Sequence, residues 1–313
     1  MCENGNFNHL PVLLKESIEG LNIKPNGIYV DGTLGGAGHA IEIAKQLNPD
    51  GLLIGIDRDE AAITTATSRL KKINSPFITV RDNHDNLQQI LHDLSVRLVD
   101  GFLLDLGVSS HQLDTPERGF SYRYDAPLDM RMDNRSVLTA YDIVNNYSEK
   151  DLQHIIKNYG EERYAKRISR AIKQAINKNR PVDTTLQLAQ IITDAVPKGP
   201  PSAGHPAMRT FQAVRIVVNA ELSNLARTIE HMSEFLKPGG RICIITFHSL
   251  EDRIVKQTFK NLADPCKCPR ELPYCICGKV PELSIITKKP IRPGADETNP
   301  RAHSAKLRIA QKL

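Results

Sequence analysis

The chain has 313 residues, 40% of them hydrophobic and 25% charged, with a net charge of +5. That length and apolar content support a sizeable packed core, which excludes a disordered tail or a disulfide-stapled miniprotein. The longest apolar runs, ICIITF and LLIGI, are far too short to span a bilayer, and no secretory signal is read at the N-terminus. The expectation is a soluble cytoplasmic protein without a membrane partner.

In chain order, short β-rich apolar runs predict strands at 27–31, 52–57, 77–82, 101–106, 241–247, 283–288 and 305–310. Helix-suited stretches such as DEAAITTATSRLKKI and DNLQQILHDLSV separate the first four. Alternating strands and helices imply a parallel sheet with right-handed crossovers. Seven strands is the count of the Rossmann-like methyltransferase fold, whose last strand is inserted antiparallel, and the short terminal pair suits that. The spacing breaks once, where about 130 residues separate the fourth and fifth strands and a crossover needs far fewer. Most of this stretch reads as helical. SEKDLQHIIKNYG opens on a capping-box-like Ser148–Asp151 pair and stops at Gly160, and EERYAKRISRAIKQAINKNR and TTLQLAQIITDAV follow. The expected organisation is a methyltransferase domain in two parts, 1–110 and 206–313, with a helical substrate-recognition domain inserted over 111–205. PKGPPSAGHP (197–206) is the expected return linker.

The stretch DGTLGGAGHA follows the first strand directly. It lacks the Gly-Lys-Ser/Thr of a phosphate-binding P-loop. The dinucleotide fingerprint fits in part: from Gly36 it reads GAGHAI, without its third glycine, and the bend holds no Lys or Arg. A pyrophosphate can sit on a helix N-terminus, but a ligand without phosphate explains the missing cations as well. S-adenosylmethionine is such a ligand, and its ribose and charged end call for carboxylates. Asp31, Asp57 and Asp105 end the first, second and fourth strands, and Asp57 lies about twenty residues beyond the glycines, where Rossmann-like folds place the ribose acid. The plainer alternative is that each aspartate caps the turn after its strand.

Longer segments carry a family likeness. HLPVLLKESIEGLNIKPNGIYVDGTLGGAGHA, DLGVSSHQLDTPERGFSYRYDAPLDMRMD, HPAMRTFQAVRIVVNAEL, LKPGGRICIITFHSLEDRIVK and NPRAHSAKLRIA resemble the bacterial 16S rRNA cytosine-N4 methyltransferase family, RsmH/MraW. The likeness runs from about His9 to the C-terminus. It implies an S-adenosylmethionine-dependent enzyme that methylates the exocyclic amine of a cytidine in the decoding centre, with 16S rRNA or the small ribosomal subunit as partner. Carried over by position, the cofactor contacts fall on Ala37, Gly38 and His39, on the ribose acid Asp57, near His84, and on Asp105 and Gln112, with Gly35 and Gly36 shaping the bend. His84 stands where some members have an aromatic. The Asp/Asn-Pro-Pro-aromatic motif of many amino-methyltransferases is absent, since DLGVSS stands there. Asp105 is therefore expected to position both cofactor and amine, with Phe120, Tyr122, Tyr124 or Phe247 stacking the base. His248 either touches substrate and helps proton release or serves as a structural hydrogen-bonding residue.

The stretch RYAKRISRAIKQAINKNR has no acid. At helical spacing Arg163, Lys166, Arg167, Arg170 and Lys173 can share one basic face suited to RNA phosphates. Arg209 and Arg215 offer a second patch. Four of the six cysteines, Cys266, Cys268, Cys275 and Cys277, form a C-x-C-x6-C-x-C group. A structural zinc ion, reduced thiols or a redox pair all suit it. The competing functional readings are a nicotinamide-dependent oxidoreductase and a non-catalytic RNA-binding protein that keeps an old cofactor pocket. The sequence leaves the oligomeric state open.

Overall fold

The computed structural model describes residues 11–178, 181–199, 204–269, 274, 276–294, 299 and 302–313. The chain divides into two compact units, Met1–Gly107 with Leu222–Leu313, and Val108–Glu221.

The first unit is built on one sheet. Its strands are β1 (Ile28–Asp31), β2 (Leu52–Asp57), β3 (Phe77–Arg81), β4 (Val99–Asp105), β5 (Leu236–Thr246), β6 (Leu283–Ile285) and β7 (Lys306–Lys312). They lie in the order β3-β2-β1-β4-β5-β7-β6. The first five are parallel, and β7 is antiparallel to both β5 and β6. This is the expected Rossmann-like seven-stranded arrangement. The strand order reverses at β1 and β4, the switch point beside which open α/β sheets bind ligands.

Alternation along the strands feeds two cores, as the pleat requires. Phe102 and Leu104 join Ile54 and Ile56 under helices α4 (Leu87–Asp93), α11 (Leu225–Glu234) and α12 (Ser249–Ala263). Leu103, Leu53 and Ile245 face the other way, onto α1 (Leu14–Leu21), α2 (Gly38–Ala44) and α3 (Glu60–Leu70). A three-layer sandwich results. β5 starts at Leu236, earlier than the expected 241. Val99 pairs with Leu236 and Gly101 with Arg241, so KPGG sits inside the strand as a bulge, and Gly239 takes a φ of +79°.

The second unit is helical: α5 (Ser110–Asp114), α6 (Ala140–Asn146), α7 (Glu149–Gly160), α8 (Ala165–Asn177), α9 (Thr185–Ala195) and α10 (Met208–Val218). Ser148 caps α7 by accepting the Asp151 amide at 3.2 Å, and Thr184 with Gln187 forms a capping box on α9. Leu152, Ile156, Ile168, Ile172, Leu188 and Phe211 pack into one core. The chain leaves this unit at Glu221, not near 205 as the Pro/Gly-rich linker suggested, because α10 packs on α7. A Cβ at Gly160 would lie 2.6 Å from the Arg209 carbonyl oxygen, so Gly160 is what lets the two helices close up. Residues 200–203 of the expected linker lie outside the described residues. No helix among the described residues is long and apolar enough to cross a membrane.

Candidate active site

The bend after β1 is stitched to both neighbouring strands. Gly32 donates its amide to Leu103 O at 2.9 Å, and Leu34 donates to Ile56 O at 2.9 Å. The Asp31 carboxylate accepts the Thr33 amide at 3.1 Å, and the Thr33 hydroxyl accepts the Asp105 amide at 2.6 Å. Gly35 is left-handed, with φ of +47°, and donates its amide to Asp57 Oδ2 at 2.8 Å. The other Asp57 oxygen accepts the Asp59 amide at 2.9 Å. Ala37 is also left-handed and fully buried, and it precedes the first turn of α2. A Cβ at Gly38 would lie 2.3 Å from Pro11 Cγ, so a bare glycine lets Pro11 and Val12 cross the start of α2. The bend carries no cation of its own, but Arg69 reaches in from α3 and donates to Gly36 O.

Three carboxyl groups therefore meet at the carboxyl ends of β1, β2 and β4. Asp31 is 1% exposed, and burial pushes its carboxyl up to about 7, with Asp57 repelling it further. Burial, then Asp31, then Glu251 push Asp105 up to about 8. Asp57 is raised by burial. Asp105 Oδ1 is enclosed without a hydrogen-bond partner. Buried His39 is pushed down to about 4 by desolvation and is neutral near pH 7. Its Nε2 lies 3.1 Å from Val12 O, so that nitrogen carries the proton and bare Nδ1 faces Asp105 Oδ2 at 3.7 Å. A neutral imidazole beside a proton-retaining carboxyl is a self-consistent pair. An enclosed carboxyl oxygen without a donor, beside backbone amides, fits a ligand that brings positive charge and hydroxyl donors.

His84 lies in a short 3-10 turn after β3, with its Cβ against the position a Gly32 side chain would take. Its Nδ1 lies 3.2 Å from Asp85 Oδ1. Asp85 also accepts from the Thr228 hydroxyl at 2.9 Å and the Asn224 amide at 3.1 Å, which ties this turn to α11. His248 is the N-cap of α12. Its Nδ1 faces the Glu251 amide at 3.5 Å, its Nε2 lies 3.0 Å from Glu251 Oε1, and Glu251 Oε2 accepts the Phe247 amide at 2.9 Å. The imidazole thus caps the helix start through Nδ1, while its buried Nε2 faces the Glu251 carboxylate without a hydrogen bond. Phe247 packs against the first unit's core.

The second unit distributes its expected residues unevenly. Gln112 is buried and closes a capping box with Ser109, accepting the Ser109 amide at 3.0 Å. Phe120 is a core residue, 6% exposed, so it offers no open stacking face. Tyr122 stacks on His205 with ring centroids 4.4 Å apart and meets Phe211 edge-on. Tyr124 is the exposed ring of the three, at 45%. On α8, Lys166, Arg167 and Arg170 line an open groove with Lys178, and Ile191 and Asp194 of α9 form its other wall. Arg163 stacks over the Tyr164 ring at 4.5 Å. Two expectations need correcting. Lys173 does not join the groove, because its Nζ donates to Val144 O at 3.3 Å and Asn145 O at 2.9 Å, where a cation complements the C-terminus of α6. Arg215 is no open phosphate contact, since it pairs with Glu221 through two bonds of 2.9 Å with both side chains largely buried. Arg209 donates to Glu161 O at 2.9 Å, capping α7.

Sequence reasoning missed Thr33, Arg69 and Asp85. For Thr33 a signal existed, since a threonine two residues after a strand-end aspartate is a ready turn partner. Arg69 and Asp85 act through tertiary neighbours that local sequence does not announce. In cysteines 266, 268 and 277 the thiol sulfurs lie within 4.8 Å of one another. Cys275 lies outside the described residues.

Comparison with known proteins adds the family. The family described as MraW methylase matches residues 6–313. The chain belongs to the MraW methylase family. Among similar proteins, the ribosomal RNA small subunit methyltransferase H of Halothermothrix orenii is 56% identical over 308 residues, covering 97% of this chain and 98% of that protein. The protein of the same name from Clostridioides difficile is 54% identical over 310 residues, covering 98% of this chain and 99% of the relative. A third, from Ruminiclostridium cellulolyticum, is 54% identical over 312 residues, covering 98% and 99%.

Proposed function

We propose that this MraW-family methylase transfers a methyl group from S-adenosylmethionine to the exocyclic N4 amine of a cytidine in the decoding centre of 16S rRNA. The observation that carries the reading is the Asp31–Asp105 pair: two carboxyls at adjacent strand ends, both pushed above the usual carboxylate range and Asp31 raising Asp105, beside an amide-rich bend. The names of the relatives, ribosomal RNA small subunit methyltransferases, support the substrate. A nicotinamide dinucleotide would bring two phosphates to a rim of carboxylates, where Arg69 is already engaged on Gly36 O. Work on ribosomal RNA implies a cytoplasmic setting.

When bound, the cofactor supplies an electrophilic methyl group on a positively charged sulfur. Asp57 and the backbone of the bend, where the Gly35 and Ala37 amides are already taken by Asp57 and Leu34, would hold its nucleoside, and Asp31 and Asp105 would face its cationic end. The bend keeps these groups in place through the bonds from Thr33 and Gly35, so little reorganisation is needed on binding. The cytosine amine is a poor nucleophile, because its lone pair is delocalised into the ring. Asp105, once ionised, accepts a hydrogen bond from that amine and localises the lone pair. Its high proton affinity then suits it to take the proton the methylated amine releases. His39, kept neutral by burial, adds no competing positive charge. Arg167, Arg170 and Lys166 in the groove of the second unit offer phosphate contacts for the RNA, and exposed Tyr124 is the available stacking ring.

The test is transfer of radiolabelled methyl to small subunits from a strain lacking this activity, with the labelled nucleotide mapped. Label on one cytidine N4 is expected, and its absence, or capture of NAD in place of S-adenosylmethionine, overturns the reading. Asp105→Asn should stay slow at saturating cofactor. Full recovery under saturation would leave Asp105 a binding role alone.

A further inference from the structure

Between α12 and β6 the chain makes an excursion in which none of the described residues belongs to a hydrophobic core. Its two ends are pinned, the Glu282 amide donating to Leu262 O at 2.9 Å. Among the described residues from 264 to 282, none is buried. Tyr274, Ile276 and Val280 point outward, 81%, 78% and 75% exposed. Described residues that bury so little apolar surface give the segment little hydrophobic hold on a fixed shape, and small units of this kind are stapled by disulfides or metals.

The thiols converge inside this excursion. Cys266 and Cys277 Sγ lie 3.9 Å apart, and the sulfurs of Cys266, Cys268 and Cys277 all lie within 4.8 Å of one another. No disulfide joins them. A disulfide needs sulfurs about 2 Å apart. Four thiolates around zinc at about 2.3 Å place neighbouring sulfurs about 3.8 Å apart, close to the spacing found. The Ile276 amide also donates to Cys268 Sγ at 3.4 Å. Backbone N–H groups aimed at sulfur stabilise the thiolate that a metal requires, as outer-shell donors do in metal sites.

We propose that Cys266, Cys268 and Cys277 bind a structural zinc ion that holds the α12–β6 excursion. Binding replaces thiol protons with the metal: each ligating cysteine loses its S–H proton to solvent as a sulfur–zinc bond forms, and nothing is oxidised or reduced. The excursion would then display Tyr274, Ile276 and Val280 from a rigid frame. The site is independent of methyl transfer and takes no part in it.

Full-length protein purified without added metal or chelator should carry near-stoichiometric zinc by elemental analysis. A mercurial should release that zinc together with its thiol titre. Cobalt exchanged into the wild-type chain should give the intense visible bands of a tetrahedral thiolate site. Cys266→Ser and Cys277→Ser should each lose most of the metal while still binding S-adenosylmethionine, and retained cofactor binding shows that the variants fold. A folded, metal-free preparation whose thiols all react at once would overturn the proposal. So would a disulfide in this segment detected by mass spectrometry under non-reducing conditions, or cobalt bands of octahedral type.

Discussion

Cofactor binding should expel protons from the acid rim, and the amount follows from the two strand-end carboxyls. With Asp31 near 7 and Asp105 near 8, pH 7 leaves them about half and about nine-tenths protonated, roughly 1.4 protons together. Burial is the largest cause for both, with Asp57 adding to Asp31 and Asp31 adding to Asp105. A cationic ligand that requires both to ionise releases about that many protons at pH 7, nearly two at pH 6 and almost none above about pH 9. Affinity for S-adenosylmethionine should therefore rise roughly ten- to thirty-fold per pH unit near pH 7 and level off above about pH 9. The sign for stability runs the opposite way. Both folded-state values lie above the ordinary carboxylate range, so the ligand-free protein holds extra protons below them. It loses stability as pH rises through 7 and 8, a loss that saturating ligand suppresses. Calorimetry in two buffers of different ionisation enthalpy reads the protons directly. Asp105→Asn should remove the larger share, leaving about half a proton at pH 7 from Asp31. The ligand's own amine titrates alike in both proteins, so their difference isolates the carboxyl. A binding heat independent of buffer, with flat affinity from pH 6 to 9, would refute the coupled-carboxyl account.

Other expectations follow from the same geometry. Gly38→Ala puts a methyl group 2.3 Å from Pro11 Cγ; the crossing segment must shift, and both thermal stability and cofactor affinity should drop, which calorimetry on the one variant can show. Arg167→Ala should weaken RNA binding across sequences and lower the salt slope by about one, whereas Lys173→Ala should leave that slope unchanged and cost about 1 kcal/mol of stability through the lost helix-end contacts. Arg215→Ala strands the buried Glu221 carboxylate and should destabilise the fold by about 3–5 kcal/mol in denaturant titration. Replacing Arg215 and Glu221 together by Met and Leu should recover most of that loss. Asp85 is held down to about 2, with burial opposing and His84, Asn224 and Thr228 lowering it. Its contribution is thus present above the ordinary carboxylate range and lost as pH falls toward 2, so Asp85→Asn should flatten the acid side of the stability curve.

The sheet was largely legible because its signals are local. Apolar runs closed by an aspartate mark β1, β2 and β4, and helical periodicity between them forces parallel crossovers. What was not legible depends on neighbours distant in sequence. Helical spacing puts Lys173 on the same side as Arg170, but only the carbonyls of Val144 and Asn145 decide that its ammonium turns inward. The composition of 197–206 reads as a domain exit, yet α10 stays with the second unit because Gly160 lets it approach α7. The start of β5 was hidden by KPGG, which reads as a turn and is built as a bulge within the strand.

The candidate site shows the same division between local and tertiary information. That Asp31 and Asp105 end strands can be read from the sequence. That Asp31 raises Asp105 cannot, because it depends on β1 and β4 being neighbours and on Asp31 being buried beside a carboxyl that keeps only 26% of its side chain exposed. One carboxylate in such a place would be a turn cap. Two, beside a bend held by the Thr33 bonds, keep protons that a bound cation would displace. On this reading, selectivity for a positively charged donor is a property of strand order. Moving either acid to a strand one place further out should abolish the proton release while leaving every local motif intact.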